Sequence, residues 1–150
     1  MAHNWFDCII KYERTAEEGK IVKVKESYII DALSFTEAEA RMTEYIQPFI
    51  DGEFSVSAVK RAKINEMFWN DEGDTWFRAK VNFISLDEEK GIEKKIATTM
   101  MVQANDIQEA WNGITEGMKG SQADYEIYSI TTTEIQEIIK YDPDGDDKED

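Results

Sequence analysis

The stretch Trp5-Phe6-Asp7-Cys8-Ile9-Ile10-Lys11-Tyr12 returns as Trp76-Phe77-Arg78-Ala79-Lys80-Val81-Asn82-Phe83, displaced by 71 residues. Identities are few, but in each copy apolar side chains take alternate positions: Phe6, Cys8, Ile10 and Tyr12 in the first, Phe77, Ala79, Val81 and Phe83 in the second. A period of two is the mark of a strand that buries one face. The correspondence continues in order, with one extra residue in the intervening loop. Gly19 meets Gly91, Ile30 meets Val102, Ala38 meets Ala110, Thr43-Glu44 meets Thr115-Glu116, and Phe54-Ser55-Val56 meets Tyr125-Glu126-Ile127. A repeat of this length governs how every other segment is read.

Each copy reads as strand, strand, helix, strand. The loops 13–19 and 85–91 are polar and end in glycine, so each closes an antiparallel hairpin. The second strands, about residues 20–32 and 92–104, turn Val24, Tyr28, Ile30 and Ala32, or Ile96, Met100, Val102 and Ala104, inward. Ser34 or Thr36 in one copy, and Asn105 or Asp106 in the other, can accept the orphan N–H groups of a first helical turn. Phe35, Ala38, Met42, Ile46 and Phe49, and Ile107, Ala110, Trp111, Ile114 and Met118, then form helical stripes that face a sheet. Pro48 and Gly52 end the first helix, and Gly117 and Gly120 the second. Third strands follow near residues 53–59 and 125–130. The segments 64–68 and 135–139 extend those strands past a bulge or form a helical turn, with strand preferred, and Asn70 to Asp74 is a short polar linker.

The expected architecture is therefore α+β: an internal duplication of a β-β-α-β unit, with antiparallel sheet or sheets and one helix per repeat. Residues 1–70 form the first repeat, 71–140 the second, and 141–150 a disordered acidic tail. One helix covers only one face of a sheet, so two such units pair about a pseudo-twofold axis or join in one longer sheet.

Among 150 residues, 32 acids against 17 bases give a formal charge of -15, which argues against duplex DNA as a partner. A content of 41% hydrophobic and 11% aromatic residues is enough to build a core. The single cysteine excludes an intramolecular disulfide, no Cys/His cluster suits structural zinc, and a reducing cytoplasm fits. No apolar run approaches the ~18 residues of a membrane span, and no signal-peptide pattern opens the chain. The acidity is uneven: residues 1–70 carry 12 acids and 9 bases, 71–140 carry 14 and 7, and the last ten carry 6 and 1. The strand segments are slightly basic.

No catalytic constellation emerges. His3 sits alone near the terminus, and Cys8 lies on an inward row, where a thiol stays protonated. Gly113 to Ser121 lacks the Gly-Lys-Ser/Thr order of a phosphate loop and occupies a helix and its end. Asp142, Asp144 and Asp146 alternate as in a calcium loop, but Gly145 is misplaced and no distant bidentate carboxylate follows. No cofactor, metal or catalytic residue is expected. The candidate binding face is the outward row, where Trp5, Lys11, Trp76, Arg78 and Lys80 would set aromatic faces beside cations, as sheets that bind single-stranded nucleic acid do. The competing reading is that the tryptophans seal the repeat interface and the lysines guard sheet edges.

The opening Trp5-Phe6-Asp7-Cys8, the run Tyr28 to Arg41, the turn Pro48-Phe49-Ile50-Asp51-Gly52-Glu53-Phe54, Lys60-Arg61-Ala62 and Gly117-Met118-Lys119-Gly120 resemble a domain-of-unknown-function family of Bacteroidales bacteria and their phages. The resemblance covers about residues 4–140. It implies an intracellular protein and carries over no activity or functional residues. The leading expectation is a non-enzymatic accessory protein that binds a protein or small ligand through its sheet face or the junction of its repeats. One alternative is single-stranded nucleic-acid binding regulated by the acidic tail. Another is phage-type sequestration of a nucleotide ligand or blockade of a host defence protein.

Overall fold

Alternation in the opening stretch becomes the central strand of a sheet. The structure is a computed structural model in which residues 4–141 are described. In chain order it runs β1 (Trp5–Thr15), β2 (Ile21–Asp31), α1 (Phe35–Ile46), β3 (Phe54–Ala62), β4 (Glu66–Phe68), β5 (Thr75–Asp87), β6 (Ile92–Ala104), α2 (Ile107–Gly117), β7 (Asp124–Thr132) and β8 (Ile135–Ile139). The class is α+β, with two 4-stranded sheets ordered β3-β1-β2-β8 and β4-β6-β5-β7. Pairing is antiparallel except where β8 joins β2 and β4 joins β6, both parallel.

The two sheets match in detail. Tyr12 stands opposite Val24 and Phe54, and Phe83 stands opposite Ile96 and Tyr125. The β1–β3 register breaks between Ile9 and Ile10, and the β5–β7 register between Lys80 and Val81, so the two bulges fall at the same point of the repeated stretch. Both helices open alike. Ser34 accepts the N–H of Glu37 at 3.1 Å while Glu37 takes that of Leu33 at 2.6 Å; Asp106 accepts from Glu109 at 2.8 Å while Glu109 takes that of Asn105 at 2.9 Å. In each pair one bond satisfies an orphan donor of the first turn and the other ties down the residue before the cap.

The short segments after the third strands depart from expectation. They are strands, but they do not prolong β3 and β7. Each crosses to the free edge of a second strand, β4 beside β6 and β8 beside β2. Among the described residues the compact units are consequently 4–62 with 135–141, and 63–134, whereas the expected repeats run 1–70 and 71–140. Asn65 anchors one crossing: its N–H donates to the Thr99 carbonyl at 2.8 Å and its side chain accepts from the Thr99 N–H at 2.9 Å. Asn70 to Asp74 is a tied turn of the second unit. Gln103 accepts the Asn70 N–H at 3.0 Å, and a Cβ on buried Gly73 would stand 2.6 Å from the Ala104 nitrogen.

In the first unit Phe6, Cys8 and Ile10 of β1, Tyr28 and Ile30 of β2 and Ala38, Met42 and Ile46 of α1 form the core. In the second, Phe77, Ala79 and Val81, Met100 and Val102, and Ala110 and Ile114 do the same. The inward rows and the helix centres are as read. The flanks are not: Phe35, Phe49, Ile96, Ile107 and Trp111 are each half or more exposed, or close to it. A three-turn helix spans less of the sheet than its apolar stripe implies, so only the middle of that stripe is covered.

Bulk is exchanged between the units at one position. Tyr45 and Gly117 lie equally far from their N-caps, while Ile139 pairs with Ile30 and Phe68 with Val102. Where the helix carries a ring the parallel strand carries Ile139, and where the strand carries Phe68 the helix carries glycine. A Cβ at 117 would run into the Phe68 ring.

Candidate functional site

The expected platform is not assembled as a surface. Trp5 is 6% exposed and Trp76 is 4% exposed; Lys11 and Lys80 are exposed and Arg78 is half-buried. The Trp76 ring meets Trp69 edge-on at 5.1 Å. Stacking on a nucleobase requires an open aromatic face, and these two indoles have none. Alternation separates two rows of a strand correctly, but it does not say whether the second row is also covered. Near Trp5 it is, since Ile29, in the row opposite the helix, is fully buried, as is its counterpart Met101.

Lys11 belongs to a different group. It pairs across the ladder with Lys25, and Lys23 pairs with Glu13, around a cavity of about 320 Å³. Among the described residues, none of these three lysines forms an ion pair.

A concave site with its own polar network lies in the first unit, on the helix-facing row of β2. Glu26 occupies a position between Val24 and Tyr28 where the alternation calls for an apolar side chain. Its carboxylate accepts one bond from the Tyr28 hydroxyl at 2.9 Å and another, on the other oxygen, from the Tyr12 hydroxyl at 3.1 Å. Tyr45 of α1 closes the next wall, its ring 6.3 Å from that of Tyr28 and 5.6 Å from that of Phe49. Gln136 and Glu137, at the start of β8, complete a cleft of about 310 Å³.

Electrostatics follow from this geometry. Burial, then the hydrogen bond to Glu26, raises the Tyr28 phenol well above its usual range; burial and the Glu26 charge raise Tyr12. Burial, then the charge of Glu137, raises Tyr45. All three phenols stay protonated donors at neutral pH. Elsewhere, burial and the charge of Asp7 push the Cys8 thiol up to about 12, consistent with its place in the core.

Sequence reading named none of these residues as a site. The available signal was a charged residue in an apolar row flanked by tyrosines, because a buried phenol needs a partner. The matching positions of the second unit, by strand register, hold Phe83, Thr98 and Met100, and Tyr45 is matched by Gly117. No phenol–carboxylate cluster can form there. Instead, Gly113 and Gly117 of α2 line a groove of about 680 Å³ beside β4, walled by Phe68 and Trp69.

A family model described as a domain of unknown function, DUF4494, matches residues 4–141. The chain belongs to the DUF4494 family. Tyr12, Glu26, Tyr28, Tyr45 and Glu137 all fall inside the DUF4494 match, as do both grooves. No curated protein and no solved structure matches the chain. The acidic segment expected as a disordered tail lies outside the described residues, as does His3. Among the described residues no helix is long and apolar enough to cross a membrane, and no three acidic, histidine or cysteine side chains are grouped to hold a metal.

Proposed function

We propose that this DUF4494 protein is a non-enzymatic, cytoplasmic binding protein whose ligand occupies the tyrosine cleft of the first unit. One observation carries the reading: Glu26 stands on a core-facing row, held by two phenols, in a cleft that the second unit does not reproduce. A half-buried carboxylate fixed in this way on a core-facing row is partly desolvated, and ligand recognition is a use that would account for it. The phenols, held protonated, are poor bases and nucleophiles, which favours binding over turnover.

The chain is further proposed to be an internal duplication in which the second copy lost the cleft. Shared register, the coincident bulge and the paired helix caps support this. The setting in Bacteroidales bacteria or their phages rests on the sequence resemblance. Ligand-observed NMR against a small-molecule library tests the binding reading: hits should be lost with Glu26→Gln in a protein that keeps its fold. Hits retained unchanged by that variant, or no hits, would refute it.

A second reading, single-stranded nucleic-acid binding, draws support from Lys11, Lys23 and Lys25, which have no ion-pair partner among the described residues. It would proceed by phosphate contact without tryptophan stacking, and the same lysines would serve for sequestration of a nucleotide. Oligonucleotide anisotropy at low salt should then collapse on replacing Lys11 and Lys25 by glutamate; undiminished binding rejects it.

A further inference from the structure

The composition of the tyrosine cleft selects a ligand charge. Tyr12, Tyr28, Tyr45 and Phe49 supply aromatic surface, Glu26 and Glu137 supply negative charge, and neither lysine nor arginine lines the cavity. An anion entering here would meet two carboxylates with no cation to offset them. A neutral ligand would leave the carboxylate field unused.

A cation gains twice. The negative face of a phenol or phenyl ring attracts it, most strongly for weakly hydrated alkylammonium groups. Glu26 also retains acceptor capacity, because a carboxylate has about four lone-pair sites and the two phenols use one on each oxygen. Those same phenols fix the carboxylate in place, so it need not reorganise on binding. The Tyr12 and Tyr45 phenols are raised first by burial, and the charges of Glu26 and Glu137 add to that rise.

Size narrows the class. A volume of about 310 Å³ is at the small end of ligand sites and suits a headgroup, not an extended molecule. A compact metal ion would find only two carboxylates and no further charged ligand. Taken together, these features lead to one assignment, which rests on the cleft being a ligand site. We propose that the cleft between β2, α1 and β8 binds a small alkylated ammonium headgroup, held over the tyrosine rings against Glu26 and Glu137. Two sources carry such a headgroup, a free small molecule or a methylated lysine side chain of a protein.

The test uses the full chain and follows its tyrosine ring signals by NMR. Choline chloride is compared with its neutral isostere 3,3-dimethylbutan-1-ol and with sodium acetate; a trimethyllysine peptide is compared with the unmodified peptide. Choline should bind saturably and at least ~10-fold more tightly than the isostere, and acetate should have no effect. A stronger response to the methylated peptide than to choline assigns the protein source; the reverse assigns the free molecule. Glu26→Gln should weaken choline about 10-fold. Glu137→Gln, at an exposed position, should weaken it less and keeps the test valid if the first variant unfolds. Equal binding of choline and isostere, or preferential binding of acetate, overturns the ligand class while leaving the cleft a binding site. Silence towards all probes overturns this inference, and the library screen decides separately whether the cleft binds anything.

Discussion

Gly117→Ala should destabilise this protein, although helix propensity points the other way. Alanine is favoured over glycine in a helix interior by about 1 kcal/mol. Gly117 closes α2, and no left-handed backbone angle reserves the site for glycine. The opposing cost comes from β4: the new methyl would overlap three carbons of the Phe68 ring, which is partly buried against the second core. Overpacking of this kind costs about 1–3 kcal/mol, so the single variant should lose up to about 2 kcal/mol. At this chain length each kcal/mol corresponds to a Tm change of roughly 3 °C. Phe68→Leu removes the obstructing ring atoms, and on that background Gly117→Ala should become stabilising by about the helix increment. A double-mutant cycle read by urea unfolding should therefore give a coupling of at least ~1 kcal/mol. Additive effects, with alanine stabilising equally on both backgrounds, would refute the reasoning. They would also mean that Phe68 does not lie on α2 and that β4 is not where the topology puts it.

Three other outcomes are expected. Stability should fall as pH rises above about 10: Tyr12, Tyr28 and Tyr45 ionise later when folded than when unfolded, so the unfolded chain binds fewer protons in that window. Urea midpoints at a series of pH values should show this decline, and Tyr28→Phe should flatten it; a midpoint rising through that range would contradict the burial of these phenols. Cys8, with its thiol pushed up to about 12 in a closed core, should resist an aromatic disulfide reagent in the native protein and react after denaturation. Rapid native labelling would show the site to be open. Finally, the fragment 63–134 contains all four strands of its sheet and should fold alone, whereas 1–62 lacks β8 and should not until residues 135–141 are restored. Circular dichroism and amide dispersion distinguish these cases, and a well-folded 1–62 would show β8 to be dispensable.

The matched stretches beginning at Trp5 and Trp76, their hairpins, the two capped helices and the rows Phe6-Cys8-Ile10 and Phe77-Ala79-Val81 are all decided by local periodicity and capping chemistry, and the sequence by itself determined them. Alternation states which side chains share a row, and a helix cap acts within one turn, so neither needs the rest of the chain. Three things were decided only in the folded molecule. Nothing within Ile64 to Phe68 or Ile135 to Ile139 chooses between the two free edges of a sheet; in the folded chain they join β6 and β2, with Asn65 fastening one of them. Trp5 and Trp76 are buried although they lie off the helix-facing row, because coverage of the second face is a property of tertiary packing. The cleft around Glu26 brings together side chains from β1, β2, α1 and β8 that are far apart in sequence, and only their convergence turns an anomalous acid in an apolar row into a site.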